Sequence, residues 1–170
     1  SLAAAEGRIE TLRLLVESGA EVGQRDRAGL SALVRAARGG HLAVLEHLVS
    51  CDWMAGTQHL GLPEAAQQAA VAAASFGHTE LLEFLLDMAE VQVDSADTLQ
   101  KETMLCAAAS AGRLDCCEAL VRRGAGMSGK DLKGATPLHR SAKEGQWTTV
   151  ELLVKAGAEV EQADTEGRTA

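Results

Sequence analysis

The chain has 170 residues, 46% hydrophobic but only 2% aromatic, and 24 acidic against 16 basic side chains leave a formal net charge of −8. That balance argues against nucleic acid as a general partner, because phosphate binding needs a basic surface. No apolar run approaches the ~20 residues needed to span a bilayer, so direct membrane insertion is not expected, and no secretory leader is visible.

Five glycines set a rhythm. Gly7, Gly40, Gly77, Gly112 and Gly145 are spaced 33, 37, 35 and 33 residues apart. Each is expected to end one short helix and admit the next. In three cases a second glycine follows twelve residues later: Gly19, Gly124 and Gly157.

In chain order, a partial unit (1–25) is expected to turn Leu12, Leu14, Leu15 and Val16 towards a core. A second unit (26–60) opens on Asp26-Arg27-Ala28-Gly29 and ends irregularly at Cys51-Asp52-Trp53, where a glycine is expected. The stretch 54–62 has no Asp-x-x-Gly turn. Pro63 is expected to open the next helix, which should be longer than usual. The third unit (61–97) carries the stripe Leu81, Leu82, Phe84, Leu85 and Leu86. The connection 91–101 reads as irregular, with Lys101 where a turn glycine belongs. The fourth unit (98–130) runs through Thr103-Met104-Leu105-Cys106 and Gly112-Arg113.

The fifth unit (131–163) is the most regular. Asp131 and Gly134 bracket a tight turn. Thr136 caps a helix that Pro137 opens. Gly145 ends it, and Val150, Leu152, Leu153 and Val154 mark the buried stripe of the next helix. Residues 164–170 begin another unit, and the chain starts without Met, so it is expected to be part of a longer protein. Helices of two or three turns are marginal alone. They must bury their apolar faces on neighbouring units, which implies an all-α solenoid of helix-turn-helix units with short hairpin turns, one array over 1–170.

The Thr136-Pro137-Leu138-His139 run, the small residues after it and the 33-residue period resemble the ankyrin repeat family along nearly the whole chain. Ser141 departs from that pattern, which usually has the first of two alanines there. Within the family, the stretch from Gly29 to Gly124 resembles the TANC scaffold proteins. The likeness rests on the unusual Cys51-Asp52-Trp53-Met54-Ala55-Gly56 ending, the Ala-rich 65–76 segment and the Asp97-Thr98-Leu99 loop. This resemblance implies a cytoplasmic adaptor at cell junctions or postsynaptic sites, with tetratricopeptide repeats and an ATPase-like domain elsewhere in the protein.

No catalytic constellation is apparent: there is no phosphate-cradling Gly-rich loop with Lys, no GxSxG and no His-Glu-x-x-His. The four cysteines, Cys51, Cys106, Cys116 and Cys117, make no CxxC pair and no zinc spacing. Cys116 and Cys117 read as small core residues and Cys106 as buried, and unpaired cysteines mostly in apolar slots suggest a reducing compartment. No enzyme activity, cofactor or metal is expected. The resemblance implies that His139, His41 and His78 tie neighbouring turns together. Trp147 is expected to pack on a neighbour.

The same resemblance implies a concave face built from turn tips and first helices, where partners dock. Its candidate residues are Arg27, Arg35, Arg38, Ser75, Phe76, Ser110, Lys133, Arg140 and Lys143. Basic patches around one apolar residue, Phe76, would suit a protein partner offering an acidic-flanked peptide with an apolar anchor. The expected role is a protein–protein interaction module of a scaffold, monomeric in isolation. The alternatives are a targeting or regulatory module of a larger ATPase or ligase, and a structural spacer.

Overall fold

The computed structural model describes residues 2–21, 23–50, 62–88, 91–97 and 101–170. The described helices are α1 (Leu2–Ala5), α2 (Ile9–Glu17), α3 (Ala32–Gly39), α4 (Leu42–Ser50), α5 (Leu62–Phe76), α6 (Thr79–Met88), α7 (Met104–Ser110), α8 (Leu114–Arg122), α9 (Pro137–Lys143) and α10 (Trp147–Lys155). The odd-numbered helices pack in series as an inner row and the even-numbered ones as an outer row. Each inner helix also packs on the outer helix that follows it, so contacts run between chain neighbours, as in a solenoid. Among the described residues the one β pairing is an antiparallel bridge between Ala96 and Thr103.

The hairpins form as the glycine spacing requires. Gly7, Gly40, Gly77, Gly112 and Gly145 have φ between 65° and 85°, the left-handed region that closes a helix at little cost only for glycine. The inner helices start on hydroxyl caps. Ser31, Thr103 and Thr136 accept hydrogen bonds from the amides of Val34, Cys106 and His139. They pack closely because small pairs face their neighbours: Ala36–Ala37, Ala73–Ala74 and Ala108–Ala109 are all fully buried. Ser141 fits the same slot because its hydroxyl donates to the Leu138 carbonyl at 3.0 Å, leaving no unpaired group.

The core between the rows is leucine-rich. Leu45, Leu48, Leu82, Leu85, Leu120 and Leu153 are fully buried on the outer helices, each worth roughly 1.5–3 kcal/mol by transfer. Cys116 and Cys117 are buried on α8, and Cys106 is buried on α7. At the two ends the expected stripes are incomplete. Leu12 is buried, but Leu14 and Leu15 are exposed, and so is Val154. Trp147 is 74% exposed and packs on no neighbour in the way its slot suggested. The counterparts of Leu15 in the other units, Leu48, Leu85, Leu120 and Leu153, are fully buried, whereas those of Trp147 and Val154 are half-buried.

Two connections differ from expectation. Helix α5 begins at Leu62, with Pro63 in its first turn, and runs for 15 residues, where α3, α7 and α9 have 7 or 8. Its extra turns reach both ways: Glu64 Oε2 meets Arg25 Nη2 at 3.2 Å, and the Gln67 side-chain amide donates to the Ala96 carbonyl. The connection read as irregular over 91–101 is a conventional turn over its described part. The Asp97 amide donates to the Glu102 carbonyl and the Glu102 amide donates to Asp97 Oδ1, and Lys101 takes φ 51°, standing in the left-handed place that glycine fills in the other turns. The unusual ending at Cys51–Gly56, residues 54–61 and residues 98–100 lie outside the described residues.

Candidate partner-binding surface

Before each of α3 and α9 the chain makes a projecting turn pinned by one aspartate. Asp26 Oδ1 accepts from the amides of Ala28 and Leu30 at 2.8 and 3.1 Å. Asp131 Oδ1 accepts from Lys133 and Ala135 at 2.8 and 3.0 Å. Asp164 Oδ1 accepts from Glu166 and Arg168 at 2.8 and 2.9 Å. Turns of this kind suit Asp because its carboxylate imitates a backbone acceptor. The Leu30 amide and then Arg35 hold the Asp26 carboxyl below the usual range. The Arg168 amide is the main cause that brings Asp164 to about 2.

These turns consume two of the residues expected to meet a partner. Arg35 grips Asp26 Oδ2 through Nε and Nη2 at 2.7 and 2.5 Å. Arg140 Nη2 lies 2.5 Å from Asp131 Oδ2, and the Asp131 side chain is buried. Both arginines sit nine residues after their aspartate and brace the turn against its own inner helix. Glu102 lies close by; burial raises its pKa, aided by Asp97 and Asp131 and opposed by Arg140.

Neighbouring units are also latched. His139 Nδ1 meets the Thr136 hydroxyl at 2.8 Å and its Nε2 meets the Arg168 carbonyl of the next turn at 2.9 Å. The residue after three of the five hairpin glycines reaches back one unit: His41 Nε2 to the Ala5 carbonyl at 3.0 Å, His78 Nε2 to the Arg38 carbonyl at 3.2 Å, and Arg113 Nε to the Ser75 carbonyl at 3.1 Å. The histidines are therefore structural ties. The cysteines are quiet. Burial is the first cause that raises Cys106 to about 11 and Cys117 to about 12, while Cys116 lies 3.3 Å from the Thr79 hydroxyl.

The remaining candidates fall in three places. Arg27 and Lys133 are exposed on turn tips. Lys143 is exposed on α9, 3.8 Å from Glu144, and lines with Lys133, Arg140 and Arg168 a groove of about 440 Å³ between the last two turns. Arg38 and Phe76 come together: the Arg38 guanidinium carbon lies 5.1 Å from the centroid of the Phe76 ring, and Phe76 is 42% exposed. Ser75 and Ser110 are half-buried near the hairpin ends of α5 and α7. Two neighbours of this group were not among the residues expected to meet a partner. His78 lies parallel to Phe76, and Arg113 is held on Ser75. Their only signal was position, one residue after a hairpin glycine. Among the described residues no group of three or more His, Cys, Asp and Glu could hold a metal, and no helix is long and apolar enough to cross a membrane.

Stacked helix pairs with left-handed hairpins and aspartate-pinned turns define a helical repeat protein whose working part is its surface. The chain belongs to the ankyrin repeat family: the family model, three copies of the ankyrin repeat, matches residues 1–97 and again 69–164. It is 32% identical over 170 residues to a Caenorhabditis elegans transient receptor potential cation channel subfamily A member 1 homolog, covering 99% of this chain and 14% of the relative. It is 28% identical over 145 residues to the Caenorhabditis elegans ankyrin repeat and KH domain-containing protein mask-1, covering 85% of this chain and 5% of that protein. Human ankyrin repeat domain-containing protein 63 is 41% identical over 83 residues, covering 46% of this chain and 20% of that protein. The chain thus spans a small part of each. Ankyrin repeats generally mediate protein–protein interaction and are typically non-catalytic.

Proposed function

We propose that this chain is the partner-recruiting part of a larger scaffold or adaptor and binds proteins mainly on the face formed by its turns and inner helices. The observation that carries the reading is the row of free cations on the turn tips. Arg27, Lys101 and Lys133 are exposed and make no ion pair among the described residues. A rigid scaffold that holds mobile charges at loop tips is suited to recognition. The favoured ligand is a peptide with acidic flanks and an apolar anchor. The isolated array is read as a monomer, divided at 1–25, 26–60, 61–97, 98–130 and 131–163. The resemblance to the TANC scaffold proteins supports placing it in the cytoplasm, at cell junctions or postsynaptic sites. That support lies in sequence features alone.

Site-specific photocrosslinking tests the binding face. A benzophenone side chain would replace Arg27 or Lys133 in one set and Glu46 or Glu118, on the outer helices, in another. Crosslinked protein partners are expected from the turn tips and not from the outer helices. Crosslinks from the outer set alone would overturn the reading, and none from either set would favour the spacer.

A further inference from the structure

In this acidic chain, eight of the eleven arginines have a carboxylate oxygen within 4.0 Å. Among the described residues the exceptions are Arg27, Arg38 and Arg113. Two of these three belong to the units either side of Phe76: one lies over its ring and the other is bonded to the residue before it. Arg38 lies over the ring at 5.1 Å. Arg113 donates from Nε to the carbonyl of Ser75, the residue next to Phe76, at 3.1 Å. Its stem lies against Gly77, where a Cβ would come within 2.9 Å of Arg113 Cδ. The His78 ring lies 6.5 Å from that of Phe76, centroid to centroid, and 6° from parallel to it.

We propose that Arg38, Phe76 and Arg113 form a docking platform for an extended peptide carrying an apolar side chain between two carboxylates. This rests on the reading that the inner face recruits protein partners, and it places the anchor point at the hairpin ends of α3, α5 and α7. Arg113 uses only Nε, so its two Nη groups are available to a carboxylate in the paired geometry that guanidinium favours. Arg38 is held by the ring and, among the described residues, by no acid. The open part of Phe76 offers an apolar surface between them. Arginine and aromatic side chains are the types that most often dominate binding. Here both arginines and the ring are already ordered, so little side-chain entropy is lost when a ligand arrives. In an extended peptide, which advances about 3.3 Å per residue, carboxylates at positions i and i+4 stand about 13 Å apart with the apolar residue midway.

The probe is a fluorescein-labelled peptide with one leucine midway between two Asp-Glu pairs, read by fluorescence anisotropy against the whole 170-residue chain. Its controls are a peptide with lysines for the acids and one with serine for the leucine. The acidic leucine peptide is expected to bind, and to weaken as salt is raised from ~50 to ~300 mM. Arg38→Gln, Phe76→Ala and Arg113→Lys should each weaken it at least about fivefold. Arg113→Lys keeps a donor for Ser75, so its effect reports the lost fork and not a disturbed hairpin. Arg13→Ala, exposed on the outer helix α2, should change affinity by less than about twofold, and circular dichroism should match for all forms. Equal binding of the lysine peptide, indifference to the three platform variants, or no binding at about 1 mM would overturn the proposal. Turn-tip crosslinks that persist in those circumstances would leave the broader reading standing, whereas their absence would remove both.

Discussion

Lys101 makes the turn chemistry measurable. It holds φ 51° at the place where Gly29, Gly134 and Gly167 hold 74°, 69° and 78°. A side chain in that region costs roughly 1–2 kcal/mol, and glycine's greater freedom in the unfolded chain returns roughly 0.5–1 kcal/mol of it. Lys101→Gly should therefore stabilise its turn by about 0.5–1 kcal/mol. The reciprocal change, Gly29→Ala, should destabilise by a similar amount. A Cβ at Gly29 would meet nothing within 4 Å, so backbone conformation alone is tested there. The assay is native-state amide exchange at Asp97 and Glu102, whose amides close the turn. It should slow about two- to fivefold in Lys101→Gly. Unchanged or faster exchange, or a neutral Gly29→Ala, would refute the assignment of the turn's energetics to this one dihedral.

Leu85→Ala should destabilise the array by roughly 2–5 kcal/mol in urea unfolding, since Leu85 is fully buried on α6. His139→Ala removes the ties to Thr136 and to the Arg168 carbonyl; exchange at the Arg168 amide should accelerate, while α3 should be unaffected. The depressed pKa of Asp164 means that its contribution is present above the ordinary carboxylate range and is lost as pH falls from about 3.8 towards about 2. A carboxyl NMR titration of Asp164 should find its midpoint near the lower figure, with the last turn opening over the same interval. Burial keeps the Cys106, Cys116 and Cys117 thiols protonated, so all three should resist iodoacetamide at pH 8 until urea unfolds the units around them, as peptide mass spectrometry would show.

Much of the fold was legible because its rules are local. A glycine between two short helices, a hydroxyl before an apolar run and an aspartate three residues before a glycine each solve a backbone problem within their own few residues. Even Lys101 followed from counting slots. What was illegible depends on neighbours. The pattern at Leu14, Leu15 and Trp147 states which face a side chain takes, but another unit must cover that face, and none described here does. Arg35 and Arg140 looked like free cations because their aspartates lie nine residues away, on the far side of a turn. That spacing occurs twice and could have been noticed. The stacking of Arg38 on Phe76, 38 residues apart, and the reach of Arg113 to Ser75 depend on how units align across the stack, which no motif records.

The long helix α5 has a mechanical consequence. Between the fifth unit and the turn after it, tension along the inner edge is borne by a backbone bond, from the Thr165 amide to the Lys133 carbonyl, which the Thr165 hydroxyl reinforces. Between the turns at Asp26 and Asp97, the described links are side-chain contacts carried by α5, from Arg25 to Glu64 and from Gln67 to Ala96. Long side chains yield by rotating, whereas hydrogen-bonded backbone yields only by rupture. Pulling the turns apart would therefore be met at α5 by side chains that swing before they part, and beyond the fifth unit by a backbone bond that breaks outright.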